Sequence, residues 1–111
     1  MADELVILQG ARHPADGESA LPIYALIHLG EGGAFGMRDP AGALRTISAY
    51  DALHLIAGRL CGPEHGKIAR LARAIGASDR GMRYWLTGNR PVPSPAAHAM
   101  AYAIRVKELE K

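Results

Sequence analysis

Near residue 50 the apolar residues change their spacing, and this change limits what the chain can fold into more than any other feature. Ahead of it, short apolar runs alternate with turn residues: Leu5 to Leu8, Ile23 to Leu29, Ala34 to Arg38 and Ala43 to Ser48. Gly10 to Ser19 is polar, Gly30-Glu-Gly-Gly33 can supply the positive φ angles of a tight hairpin, and Asp39-Pro-Ala-Gly42 suits a turn. The pattern predicts a small antiparallel meander of three or four strands. Periodicity alone leaves open a single helical segment over residues 22 to 29.

Beyond residue 50 the apolar positions recur at i, i+3, i+4 and i+7, the spacing of a helix with one buried face. Leu53, Ile56, Ala57 and Leu60 form one stripe, with Ser48 or Asp51 as its cap and Gly62-Pro63 as its stop. Ile68, Leu71, Ala72 and Ile75 form a second, ending at Gly76. Ser78 has the chemistry of an N-cap for a short third helix with Met82, Trp85 and Leu86 facing inward, and Thr87 to Pro91 breaks it. Ser94-Pro95 reads as cap and first helical residue of a fourth helix, with Ala97, Met100, Ala101, Ile104 and Glu108 on its stripe and a fraying end from Lys107 to Lys111. The expected class is α+β: a β-rich region over residues 1–48, then a bundle of about four helices over 49–111.

The 111 residues, 49% of them apolar, suffice for one small domain or two tightly joined subdomains, and exclude both a large enzyme and a disordered tail. Net charge is only +2, but its distribution is uneven. Residues 1 to 63 carry 4 Lys/Arg against 7 Asp/Glu, and residues 64 to 111 carry 9 against 4, so an acidic front joins a basic back suited to a polyanion. The single cysteine, Cys61, excludes an intrachain disulfide and a cysteine-based zinc framework. Leu21 to Gly30 is half a membrane span, and Asp3 and Glu4 are wrong for an export signal, so a cytoplasmic protein with no membrane partner is expected.

Two short helices joined by a three- or four-residue turn containing glycine have the layout of a helix-turn-helix, whose second helix enters the major groove of DNA. With Ile68 at the first position of the motif, Ala72 falls at the fifth, where a small side chain lets the two helices touch. Gly76 falls at the ninth, where glycine takes the left-handed turn conformation at least cost. Met82 and Trp85 fall at the fifteenth and eighteenth, where apolar side chains anchor the second helix. On these residues the stretch from about 64 to 108 resembles the phage-repressor and Cro-like (lambda-repressor-like) helix-turn-helix family. Trp85-Leu-Thr-Gly-Asn-Arg-Pro-Val-Pro93 is similar to the exit segment of Cro-type and related antitoxin regulators. Gly81 departs from the better helix formers expected inside the second helix.

The resemblance implies base-edge contacts from Asp79, Arg80 and Tyr84, with Ser78, Arg83 and Thr87 close to the groove wall. The residue chemistry is compatible: Arg80 or Arg83 can offer a bidentate fork to guanine, and Ser78, Asn89 and Arg90 suit phosphates. Asp79 can accept from cytosine or cap the helix. Lys67, Arg70 and Arg73 are expected on the exposed side of the first helix of the pair, within reach of the DNA backbone.

Other motifs carry less. Gly30 to Gly36 imitates a dinucleotide loop but has Phe35 where a glycine is required, and Gly62 to Ile68 is one residue short of a phosphate-binding loop. His13, His28, His54, His65 and His98 have no metal-pairing spacing, and no catalytic signature is present, so neither a cofactor, a metal nor an enzymatic activity is expected. The leading expectation is a sequence-specific transcriptional regulator on double-stranded DNA, acting by promoter occlusion or by touching polymerase. A homodimer is expected on a palindromic operator, paired through the meander and its apolar strand Ile23 to Leu29. The competing expectation is an antitoxin or phage-type inhibitor whose acidic front binds a protein partner while the basic back autoregulates its operon.

Overall fold

A computed structural model describes residues 7–9, 25–30, 32–39, 41–62 and 66–109. Four strands come first, β1 (Ile7–Gln9), β2 (Ala25–His28), β3 (Phe35–Arg38) and β4 (Leu44–Ile47), and they form one antiparallel meander in chain order. Four helices follow, α1 (Ala49–Cys61), α2 (Lys67–Ile75), α3 (Asp79–Thr87) and α4 (Ser94–Leu109). The architecture is α+β, as expected. The polar run Gly10 to Ser19, His13, His65 and the Gly62 to Ile68 loop lie wholly or partly outside the described residues.

The Ala25–His28 segment is a strand and not a helix. The glycines after it close a hairpin, in which the Leu29 N–H donates to the Ala34 carbonyl at 2.9 Å, and the described part of the run, from Ala25 onward, is thereby committed to pairing. The register places His28 opposite Phe35, Ile27 opposite Gly36 and Leu26 opposite Met37. Because β2 lies between β1 and β3, it is not an open edge for a second copy; the outer strands are β1 and β4. Leu44, Arg45 and Thr46 of β4 are exposed, and Ile47 turns back onto the core.

Each helix begins and ends for a visible reason. Ser48, not Asp51, caps α1: its Oγ accepts the Asp51 N–H at 3.1 Å, and Asp51 occupies the first turn. Helix α4 begins one residue earlier than its sequence signal, because the Pro93 carbonyl already accepts the Ala97 N–H at 3.1 Å. Its end does not fray at Lys107, whose Nζ donates to the Leu60 carbonyl at 2.6 Å and ties α4 to the last turn of α1.

Helices and sheet share one core. Leu26 and Phe35 from the sheet join Leu53 and Ile56 of α1, Leu71 and Ala72 of α2, Met82 of α3, Val92, and Met100 and Ile104 of α4. Trp85, Leu86 and Ile68 are half-buried and pack against it. Ala72, at the fifth position of the helix pair, is buried, as close approach of the two helices requires. Among the described residues no helix is long and apolar enough to cross a membrane, and no group of three metal-ligating side chains forms.

Candidate nucleic-acid interface

Helices α2 and α3 are joined by Gly76, Ala77 and Ser78 alone. Gly76 adopts the left-handed conformation, φ 73°, and its N–H reaches back to the last carbonyls of α2. A residue with a Cβ would be strained there, which is why glycine at this point fixes the angle at which α3 departs. Ser78 then takes extended backbone and its Oγ accepts the Gly81 N–H at 3.0 Å, starting α3. That bond uses an oxygen lone pair and leaves the hydroxyl proton of Ser78 to be donated to another group.

Gly81, unusual inside a helix, has a local explanation. A Cβ at this position would stand 3.1 Å from Ser78 Oγ, tighter than ordinary contact. Ser78→Ala is therefore expected to cost about 1 kcal/mol as a lost cap. Gly81→Ala alone should be near neutral, because a helix-propensity gain of about 1 kcal/mol is opposed by crowding of the cap. In the Ser78→Ala background the same change should recover its full gain. Urea unfolding of the four proteins measures this coupling, and strict additivity would show that the glycine does not serve the cap.

The outer face of α3 and the segment just after it bring five of these residues together. Arg80, Arg83, Tyr84, Thr87 and Asn89 line a shallow recess of about 260 Å³. Arg90 joins them from the segment after α3: its guanidinium carbon lies 4.5 Å from the centre of the Tyr84 ring, and its N–H donates to the Tyr84 carbonyl at 3.3 Å. Tyr84, half-buried on α3, is thus held by Arg90. The Thr87 hydroxyl lies against the Arg83 and Tyr84 carbonyls, at 2.9 and 3.3 Å, so its proton is engaged by the helix itself.

The remaining selected residues lie elsewhere. Ser78 and Asp79 sit exposed at the start of α3, outside the recess. Arg70 and Arg73 are exposed on α2 as expected, but Lys67 is half-buried and its charge bears on His54 of α1. Burial chiefly, and that ammonium second, hold the His54 pKa below the usual histidine value, while Asp51 opposes the shift. Residues 66 to 93 hold six Lys/Arg and a single acidic residue, Asp79, and three of the six, Arg80, Arg83 and Arg90, stand at the recess and make it basic.

Two residues of the β2–β3 hairpin, which nothing in the sequence connects with α3, bear on this face. His28 is fully buried, and its Nε2 lies 3.2 Å from the Val92 carbonyl, just after the recess-lining segment. Gly33 packs directly against Pro91 and Val92. Neither contact leaves a local trace in the sequence, since the partners are about sixty residues apart. No family model matches the chain, and neither does any curated protein or solved structure.

Proposed function

We propose that the protein is a sequence-specific DNA-binding regulator that inserts α3 into the major groove. The observation that carries this reading is the gathering of Arg80, Arg83, Tyr84 and Thr87 on one side of a short helix, with Asn89 just beyond its end, where a three-residue glycine turn sets the helix off from its supporting helix. The exposed Arg80 and Arg83 supply the forked donors that read guanine, and Asn89, Arg90 and the free hydroxyl proton of Ser78 supply phosphate contacts. A nine-residue helix spans about 13 Å and reaches only a few base pairs, so the reading includes two copies on half-sites about one helical turn apart. The outer strands β1 and β4, rather than β2, are the described strands that can extend the sheet with a second copy.

Fluorescence-anisotropy titration against duplex DNA from upstream of the protein's own gene and against a scrambled duplex, each at low and physiological salt, tests the proposal. The native sequence should bind at least tenfold more tightly than the scramble at physiological salt, with affinity falling steeply as salt rises. Arg80→Ala/Arg83→Ala should lose that preference, about 1 to 3 kcal/mol for each bidentate contact removed, with its thermal midpoint unchanged. Equal, weak and salt-quenched binding to both duplexes would overturn the reading and turn attention to a protein partner for the acidic front.

A further inference from the structure

The chain between α3 and α4 is held from two sides by the sheet. On one side stands Gly33, at φ +74° in the turn between β2 and β3, where an added Cβ would overlap the Val92 backbone nitrogen and lie 2.7 Å from the Pro91 Cβ. On the other stands His28 of β2, with its Nε2 at 3.2 Å from the Val92 carbonyl. A carbonyl can only accept, so Nε2 carries the proton and Nδ1 is left as a lone pair. That Nδ1 is buried and has no hydrogen-bond partner among the described residues. A fully buried imidazole with one unsatisfied nitrogen is a poor filler for space that an aliphatic residue would fill without that penalty. What the histidine adds over leucine is one directional bond to a backbone carbonyl 64 residues away.

The position of that carbonyl matters because of what precedes it. Val92 follows Arg90 by two residues, and Arg90 is fixed to α3 twice, through its N–H to the Tyr84 carbonyl and its guanidinium over the Tyr84 ring. We propose that His28 is a positioning residue for the nucleic-acid face, its bond to Val92 setting the path of residues 89 to 92 and hence where Asn89 and Arg90 stand beside Tyr84. The inference rests on the DNA-binding reading for its consequence, and on geometry alone for the contact. In this arrangement the sheet acts as a buttress for the exit of the reading helix.

The test compares wild type, His28→Leu and His28→Gln in the full chain, by backbone amide spectroscopy and by anisotropy with the upstream duplex. His28→Leu should keep its remaining amide spectrum while the Asn89, Arg90 and Val92 amides shift and exchange faster. Its affinity should fall about five- to tenfold and its salt slope by about one, the signature of a lost phosphate contact. His28→Gln, whose amide can donate to the same carbonyl, should recover most of both. A His28→Leu protein with unchanged signals at 89 to 92, or with those signals moved but affinity and salt slope unaltered, overturns the proposal. Should that variant fail to fold, the ring nitrogens of the wild type decide: a slowly exchanging Nε2–H is expected, and an Nδ1–H tautomer overturns it. Loss of all sequence preference in the wild type would instead overturn the DNA reading, and the amide shifts would still report whether His28 holds the linker.

Discussion

Gly33→Ala should cost roughly 2 to 5 kcal/mol, the sum of about 1 to 2 for forcing a Cβ residue into the left-handed region and 1 to 3 for overpacking. The two contributions can be separated within the same turn. Gly32 also has positive φ, +58°, but nothing lies within 4 Å of a Cβ added there. Gly32→Ala should therefore lose only the conformational share, about 1 to 2 kcal/mol. At Gly33 the added methyl meets backbone, the Val92 nitrogen and the Pro91 carbonyl carbon, which cannot rotate away as a flexible side chain would. For a domain stabilised by about 5 to 15 kcal/mol the larger loss is enough to populate the unfolded state at physiological temperature. Urea midpoints at constant slope measure both variants, and equal losses at the two glycines would show that the turn does not rest on the linker.

What could be read from the sequence follows from how local each signal is. The stripes Leu53-Ile56-Ala57-Leu60 and Ile68-Leu71-Ala72-Ile75 predict α1 and α2 because a helix repeats its contacts within a few residues, and Ser78 and Gly76 mark a start and a stop by their own backbone chemistry. The α3 face was legible for the same reason: Arg80, Arg83, Tyr84 and Thr87 fall on one side at helical spacing. Where two cap residues competed, Ser48 or Asp51, composition could not choose, and the φ and ψ of Ser48 decided it. The Lys107 contact with Leu60, the Gly33 packing on Val92 and the His28 bond to the same residue are illegible in principle, because each joins segments that approach only when the core closes. Read alone, His28 looks like an ordinary structural histidine. Its half-satisfied ring appears only once Phe35 and Val92 are placed around it.

Phe35→Ala should be the most damaging single substitution in the sheet, at about 3 to 5 kcal/mol. The side chain is fully buried, pairs across the strands with His28 and with Ile47, and belongs to the cluster that joins sheet to helices. Its ring meets the His28 imidazole edge-on at 4.9 Å, so truncation also opens the wall of the histidine's site. Burial is the main reason the His28 pKa lies below 6.5; the charge of His98 adds to the shift and the Val92 bond opposes it. In the wild type the unfolded chain takes up the His28 proton near pH 6.5 and the folded chain only at lower pH. The stabilisation tied to the neutral ring is thus complete above about pH 6.5 and is lost as pH falls toward the folded pKa, by up to about 1.4 kcal/mol per pH unit. Phe35→Leu, which removes the aromatic wall without emptying the site, should keep the protein folded for titration and move the His28 pKa upward. The acid side of its stability curve should flatten accordingly. Nuclear magnetic resonance titration of the His28 ring, with urea midpoints at pH 5 and 7.5, measures both effects. An unchanged pKa in Phe35→Leu would mean that burial by the helices, not by the sheet's own aromatic ring, keeps His28 neutral.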